Sequence, residues 1–194
     1  MIIYIVFNKF KFMKNKIIIL ILLFLISFSS NQVFSDFLEY ERATYEGETF
    51  YGEPHGRGKM EFLDGEIYTG QYKFGYRHGR GEVIWSDGAS YKGEFKNGAL
   101  DGKGTFTYAE GHIYIGEFKE GLFHGKAEVT FTDGDKFIGT YKNDYRYEGK
   151  LIKADGTIIE GKYPENGKAD GEFKFTYADG TVELFNFKDG EIIE

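Results

Sequence analysis

The chain contains no cysteine, which excludes disulfide staples, thiolate metal sites and cysteine nucleophiles. Proline is nearly absent as well, at two residues against 27 glycines. Glycine without proline excludes collagen-like and proline-rich sequence. Basic residues are outnumbered, with 24 Lys and Arg facing 31 Asp and Glu over 194 residues. Four of the lysines (Lys9, Lys11, Lys14 and Lys16) fall in residues 1–35, which hold no acid; the remainder therefore carries 24 − 4 = 20 bases against 31 acids, or −11. A surface that acidic repels phosphate backbones, and Arg57, Arg77 and Arg80 form too thin a cluster to override it. Nucleic acid is therefore not an expected partner.

Long apolar runs are confined to the N-terminus. Met13-Lys-Asn-Lys16 leads into Ile17–Ile26, which has no polar residue, and then into Ser27-Phe28-Ser29-Ser30. A basic start, an apolar stretch of about ten residues and a small-residue exit make a secretion signal. Val33-Phe34-Ser35 offers a cleavage site before Asp36. The apolar run falls short of the roughly twenty residues that span a bilayer. The alternative is an uncleaved signal anchor over residues 17–28, motivated by the extra apolar stretch Met1–Phe7. Met13 begins the more typical signal, so residues 1–12 read as an over-long start. The mature chain is expected to be exported, periplasmic or secreted, and to meet a membrane only through an uncleaved N-terminal segment.

What the chain does have is period. Tyr45, Tyr68, Tyr91, Tyr114 and Phe137 recur every 23 residues, each followed two positions later by glycine (Gly47, Gly70, Gly93, Gly116, Gly139). Ten residues into the first four units stands His55, His78, Asp101 or His124, each before a glycine (Gly56, Gly79, Gly102, Gly125). A further glycine follows as Gly58, Gly81 and Gly104, with Ala127 in the fourth unit. Asp64-Gly65, Asp87-Gly88, Glu110-Gly111 and Asp133-Gly134 mark a third recurring site. Four units agreeing at this many positions define a repeat array. The pattern then decays. A fifth unit from Phe137 is one residue short, a sixth starts near Ile159 and gains one near Asn166-Gly167, and a half unit runs from Glu183.

Each unit reads as two strands and two turns. In Tyr68-Thr-Gly70-Gln-Tyr72 and Tyr91-Lys-Gly93-Glu-Phe95 large groups alternate with polar ones, which is strand period. Met60 and Phe62, Val83 and Trp85, Phe106 and Tyr108 alternate in the second strands. The acid–glycine pair supplies the positive φ of a hairpin, and the Gly-x-Gly segment is assigned to the return turn. A loop one residue longer than Asp-Gly, with a glycine bulge, is expected to set Phe62 opposite Tyr68 and gather the aromatics onto one face. The expected fold is all-β: an elongated, twisted single antiparallel sheet of about six 23-residue β-hairpins over residues 45–194. It follows a signal-peptide helix in residues 1–35 and a linker at 36–44. Six repeats at about 4.8 Å per strand extend about 60 Å, and the outer edges of such a sheet call for a cap or a partner.

The motif Tyr-x-Gly-x-(Phe/Tyr)-x-x-Gly-x-x-His-Gly-x-Gly, closed by an Asp-Gly hairpin, resembles the MORN repeat (membrane occupation and recognition nexus). The likeness is close over residues 45–136, as in Tyr68-Thr-Gly70-Gln-Tyr72…Gly75…His78-Gly79-Arg-Gly81…Asp87-Gly88, and looser over 137–194. It implies an array of β-hairpins used for protein contact, self-association or attachment near membranes. The family's frequent catalytic companions have no counterpart, because the repeats run through the rest of the sequence.

No catalytic constellation emerges. His55, His78 and His124 share one repeat position about 10 Å apart, whereas ligands of one metal ion must each lie within about 2.1 Å of it. They read as turn histidines bonding nearby backbone, and His112 lies off the pattern. Asp64, Asp87, Glu110 and Asp133 stand in single file, without the facing pair a glycosidase needs. Gly56-Arg-Gly58 lacks the helix and the lysine of a phosphate loop. No metal, cofactor or catalytic residue is expected. The candidate contact residues are Tyr68, Tyr72, Trp85, Tyr91, Phe95, Tyr114 and Phe118, because a single-layer sheet offers no second layer to cover them. The expected role is an exported scaffold that binds a protein or its own copies through this aromatic face. A glycan or lipid-surface binding module is the alternative.

Overall fold

Alternating large and small side chains, punctuated by glycine, make strands of nearly the whole repeat region. The computed structural model describes residues 35–163 and 167–193. The expected signal segment up to residue 34, the start at Met13, the alternative anchor over 17–28 and Asn166 lie outside the described residues. The first strands are β1 (Ser35–Tyr40), β2 (Ala43–Phe50), β3 (Glu53–Phe62), β4 (Ile67–Lys73) and β5 (Tyr76–Ile84). The middle of the array holds β6 (Ser90–Lys96), β7 (Ala99–Thr107), β8 (Ile113–Lys119), β9 (Leu122–Thr130) and β10 (Lys136–Lys142). It continues through β11 (Tyr145–Ile152), β12 (Ile158–Lys162), β13 (Gly171–Thr176), β14 (Val182–Lys188) and β15 (Glu191–Ile193). All fifteen form one open sheet in chain order, and each neighbouring pair is antiparallel.

Three local expectations are corrected. Residues 36–44 are not a linker. Strand β1 runs from the end of the expected signal and pairs with β2 from Ser35↔Glu48 to Tyr40↔Ala43. Leu38 packs against the core, and the Thr49 hydroxyl donates to the Asp36 carboxylate. The register of the acid–glycine hairpin is offset by two: Met60, not Phe62, faces Tyr68. Its loop is the three residues Leu63-Asp64-Gly65, closed by Phe62 N–H donating to Glu66 O at 2.8 Å and Gly65 N–H to Phe62 O at 3.0 Å. Gly65 takes the left-handed bulge position at φ 94°, so the parity is as expected and the aromatics do share a face.

The third correction concerns the return turn. It is not the Gly-x-Gly segment, which lies inside the second strand of each unit at a bulge. The turn is a two-residue pair, Phe74-Gly75 in the second unit, with φ of 50° and 80°. Tyr51-Gly52, Asn97-Gly98, Glu120-Gly121 and Asn143-Asp144 repeat it, all with positive φ. Two successive left-handed residues match the right-handed twist of the strands they join. The Gly98 N–H then donates to Arg77 O at 2.9 Å, and Gly75, Gly121 and Asp144 donate likewise to Pro54, Leu100 and Phe123 at 2.9, 2.9 and 3.0 Å. Four of these five turns are thus bonded to the repeat before them.

The core is built on one face by rings lying over glycine. Tyr68 extends across Gly70 and Gly81, which face each other on β4 and β5; a methyl group at Gly81 would overlap the ring. The Tyr68 hydroxyl donates to Gln71 O at 2.9 Å, and Tyr45, Tyr91 and Tyr114 make the same bond to Glu48, Glu94 and Glu117 at 2.7, 2.9 and 2.8 Å. Edge-on contacts join the rings across repeats: Tyr45–Tyr72, Tyr68–Phe95, Tyr91–Phe118 and Tyr114–Tyr141 have centroids 5.2, 5.1, 4.9 and 5.3 Å apart. A third group from the second strand covers three of the leading rings. The Arg77 guanidinium sits 4.9 Å over Tyr68, Phe123 lies 4.1 Å from Tyr114, and Arg146 sits 4.9 Å over Phe137.

Two outcomes follow from this packing. Gly81→Ala should destabilise the array by about 1–3 kcal/mol through overpacking under Tyr68. Gly88→Ala meets open space at φ 91° and should lose only the left-handed backbone preference, about 1 kcal/mol. Urea unfolding of the two variants tests the order, and equal losses would refute the ring-on-glycine account. Burial pushes the phenols of Tyr45, Tyr68 and Tyr91 up to about 12 and raises those of Tyr72 and Tyr114 as well. A phenol raised in the fold adds stability that is complete below its unfolded value of about 10 and is lost as pH climbs toward 12. Tyrosinate absorbance from these rings should therefore appear together with loss of the far-ultraviolet β signal. Tyrosinate absorbance from the full tyrosine count with the β signal intact would contradict it.

Candidate interaction site

The face expected to meet a partner is closed. Tyr68, Tyr72, Tyr91, Phe95, Tyr114 and Phe118 are all buried. Trp85 is half-buried, its ring 5.4 Å from Phe106. Six of the seven candidate residues are therefore core. The expectation of an uncovered face left out the position nine residues after each leading aromatic, held by Pro54, Arg77, Leu100, Phe123 and Arg146. Arg77, Phe123 and Arg146 lie against the rings, Leu100 packs on the core, and Pro54 is fully buried. Their 23-residue spacing was present in the sequence, but their chemistry is too mixed to reveal it.

His55, His112 and the turn aspartates bond backbone, whereas the expected backbone bond fails at His78 and His124, whose Nδ1 atoms are buried with no hydrogen-bond partner among the described residues. His55 Nδ1 accepts the Phe74 N–H at 3.4 Å, and Asp101, its counterpart two units on, accepts the Glu120 N–H at 3.3 Å. His112 does find a partner, its Nδ1 accepting the Thr132 N–H at 3.1 Å. Asp64, Asp87, Asp133, Asp155 and Asp179 each accept the N–H two residues on, at 3.1, 2.9, 3.0, 2.8 and 2.8 Å. The backbone donors of Thr157 and Thr181 hold the Asp155 and Asp179 carboxyls below the usual carboxylate range. No group of three His, Asp or Glu among the described residues is placed to hold a metal ion.

Exposed apolar side chains occur along the whole array, and one cluster of exposed aromatics lies at the return turns of the first two units. Phe50, Tyr51, Phe74 and Tyr76 are 47%, 68%, 57% and 62% exposed. Phe50 lies 4.4 Å from Tyr51 and 6.1 Å from Phe74, and His55 packs between Phe50 and Phe74 at 5.4 and 5.1 Å. The patch has an unusual backbone. Tyr51 and Phe74 hold φ of 54° and 50°, where a bulky side chain costs about 1–2 kcal/mol. The same position in later turns holds Asn97, Glu120 and Asn143.

The sequence comparison coincides with this periodicity. The MORN repeat model matches residues 45–67, 68–90, 91–113 and 114–136. Residues 45–136 are four MORN repeats. Each MORN unit supplies one leading tyrosine, one acid–glycine hairpin and one left-handed return turn. No curated protein matches the chain in sequence. Among solved structures, the chain is similar to the TCP domain of SAS-4 (dCPAP) from Drosophila melanogaster, determined in complex with a proline-rich motif of Ana2 (dSTIL). That likeness has 14% identity and a TM-score of 0.47, covering 82% of this chain and 94% of that one. A point mutant of the TCP10 domain of Danio rerio CPAP is similar at 13% identity and a TM-score of 0.40, covering 81% and 83%.

Because the MORN tyrosines are packed on all sides, their hydroxyls serve the fold. Tyr91→Phe should lose about 1 kcal/mol with the bond to Glu94 O and keep the β-sheet fold. Chemical denaturation and circular dichroism of the same variant test this, and an unchanged stability would contradict it.

Proposed function

We propose that the chain is an exported, non-catalytic scaffold that holds a partner protein against the aromatic return turns of its first two repeats. One observation carries the reading: Tyr51 and Phe74 occupy left-handed backbone while their side chains stay exposed. An exposed aromatic adds little to the core, and this backbone works against it. Strained positions with large exposed side chains gather at ligand contacts, and clustered aromatics dominate protein interfaces. The MORN array supplies the frame, bonded repeat to repeat, that presents them.

Export is supported by the basic and apolar order of residues 13–30. A non-catalytic role is supported by His55, Asp64, Asp87, Asp101 and Asp133, which recur at fixed repeat positions and are drawn into backbone bonds. The sheet face of tyrosines is replaced as the contact surface by the turn edge.

The test is to purify the full chain with its cross-linked partners from the exported fraction, beside the double variant Tyr51→Asn, Phe74→Asn. Asparagine accepts left-handed backbone, so the variant should melt no lower than the parent. A partner lost by the variant, and recovered stoichiometrically by the parent, supports the reading. Unchanged capture would sink it, and recovery of the chain alone would replace it with self-association.

A further inference from the structure

A second surface, separate from the turn patch, lies on the tyrosine side of the sheet between the third and fifth units. A cavity of about 430 Å³ opens there, lined among others by Tyr108, His112, Phe123, Asp144, Tyr145 and Arg146. That volume falls within the range of small-ligand sites. Its walls are rings. Tyr108 lies 6.3 Å from Phe123 and 6.2 Å from His112, and Phe123 rests on Tyr114.

The polar groups in this lining have unused capacity. His112 Nδ1 accepts the Thr132 N–H, which places the neutral ring's own proton on Nε2. Asp144 Oδ1 accepts the Phe123 N–H at 2.8 Å. Among the described residues, Asp144 Oδ2, His112 Nε2 and the Tyr108 hydroxyl make no hydrogen bond. The lining thus offers a carboxylate acceptor, an imidazole donor and a phenol that does either, beside exposed aromatic carbon.

Charge narrows the ligand. The Arg146 guanidinium is fixed 5.2 Å over Phe131 and 4.9 Å over Phe137, and a cation entering beside it would be repelled. Asp144 repels an anion in the same way. A neutral ligand with one apolar face and a rim of groups that both donate and accept fits all of these constraints. We propose that the cavity binds a neutral pyranose ring, its C–H face against the aromatic wall and its hydroxyls on Asp144, His112 and Tyr108. The ring could be a free sugar or a glycan terminus, since both present the same chemistry.

The test uses the full chain. It would be titrated calorimetrically with the methyl glycosides of glucose, galactose, mannose and N-acetylglucosamine into the millimolar range, and applied to an array of neutral oligosaccharides. Tyr145→Ala and Asp144→Asn are the variants. Tyr145 is half exposed, and asparagine keeps both the left-handed turn and the bond to Phe123. Circular dichroism verifies their fold. We expect at least one sugar to bind, with each variant weakening it about tenfold. Binding of a methyl glycoside identifies a free-sugar site. Binding on the array alone, lost in both variants, identifies a glycan terminus. No binding in either format, or binding that survives both substitutions, overturns the proposal. Neither result bears on the turn patch, which shares no residue with this cavity.

Discussion

Everything in this sheet depends on a phenol ring laid flat over glycine. A single layer of strands has no second layer to bury against, and apolar side chains standing upright on it would stay wet. Removing the Cβ atoms from two facing positions, such as Gly70 and Gly81, opens a bed long enough for the Tyr68 ring. The hydroxyl then reaches the backbone carbonyl of Gln71, so its polar end is satisfied without leaving the sheet. The neighbouring repeat supplies an edge-on ring and the second strand supplies a cover. Core and layer become the same object.

That arrangement fixes where function can sit. The residues with the highest aromatic density belong to the fold, because the rings have glycine below and rings beside them, with Arg77, Phe123 or Arg146 against Tyr68, Tyr114 and Phe137. Variation is left to positions that the period does not use for packing. The return turn is one: it requires positive φ but tolerates Tyr51, Phe74, Asn97, Glu120 or Asn143. The aromatic pair among those five departs from backbone preference, so its explanation must lie outside the core.

The parts of the fold legible in the sequence were those marked by a single residue type. Leading tyrosines, acid–glycine hairpins and the third-position glycines gave the strands, the period and the shared face. His55 was read correctly as a backbone partner, while His78 and His124, read the same way, keep their Nδ1 atoms buried without one. Other parts had no such mark. Strand β1 carries no glycine, so Ser35–Tyr40 passed for a linker. Phe74 is a poor turn former by type, so its turn was assigned to the better-looking Gly79 and Gly81. The covering position mixes proline, arginine, leucine and phenylalanine, which share size and reach but no chemical class. Overlooking that cover made six core aromatics look like a docking surface.

The bulge in each second strand has a further role as a length compensator. In the second unit it takes up the interval between Gly70↔Gly81 and Tyr72↔Arg77, setting three residues of β5 against one of β4. The fifth unit is a residue short, yet Arg146 still covers Phe137 and the turn still bonds back to Phe123 O. The loss has been taken entirely at the bulge, where Thr140↔Glu148 gives way to Tyr141↔Arg146 with a single extra residue between them. A one-residue deletion anywhere else in the unit would reverse which side chains face the glycine bed. Sequence drift in such an array is therefore channelled: repeats can change length at one joint and keep their stacking, and at other points only whole-unit gains or losses preserve it.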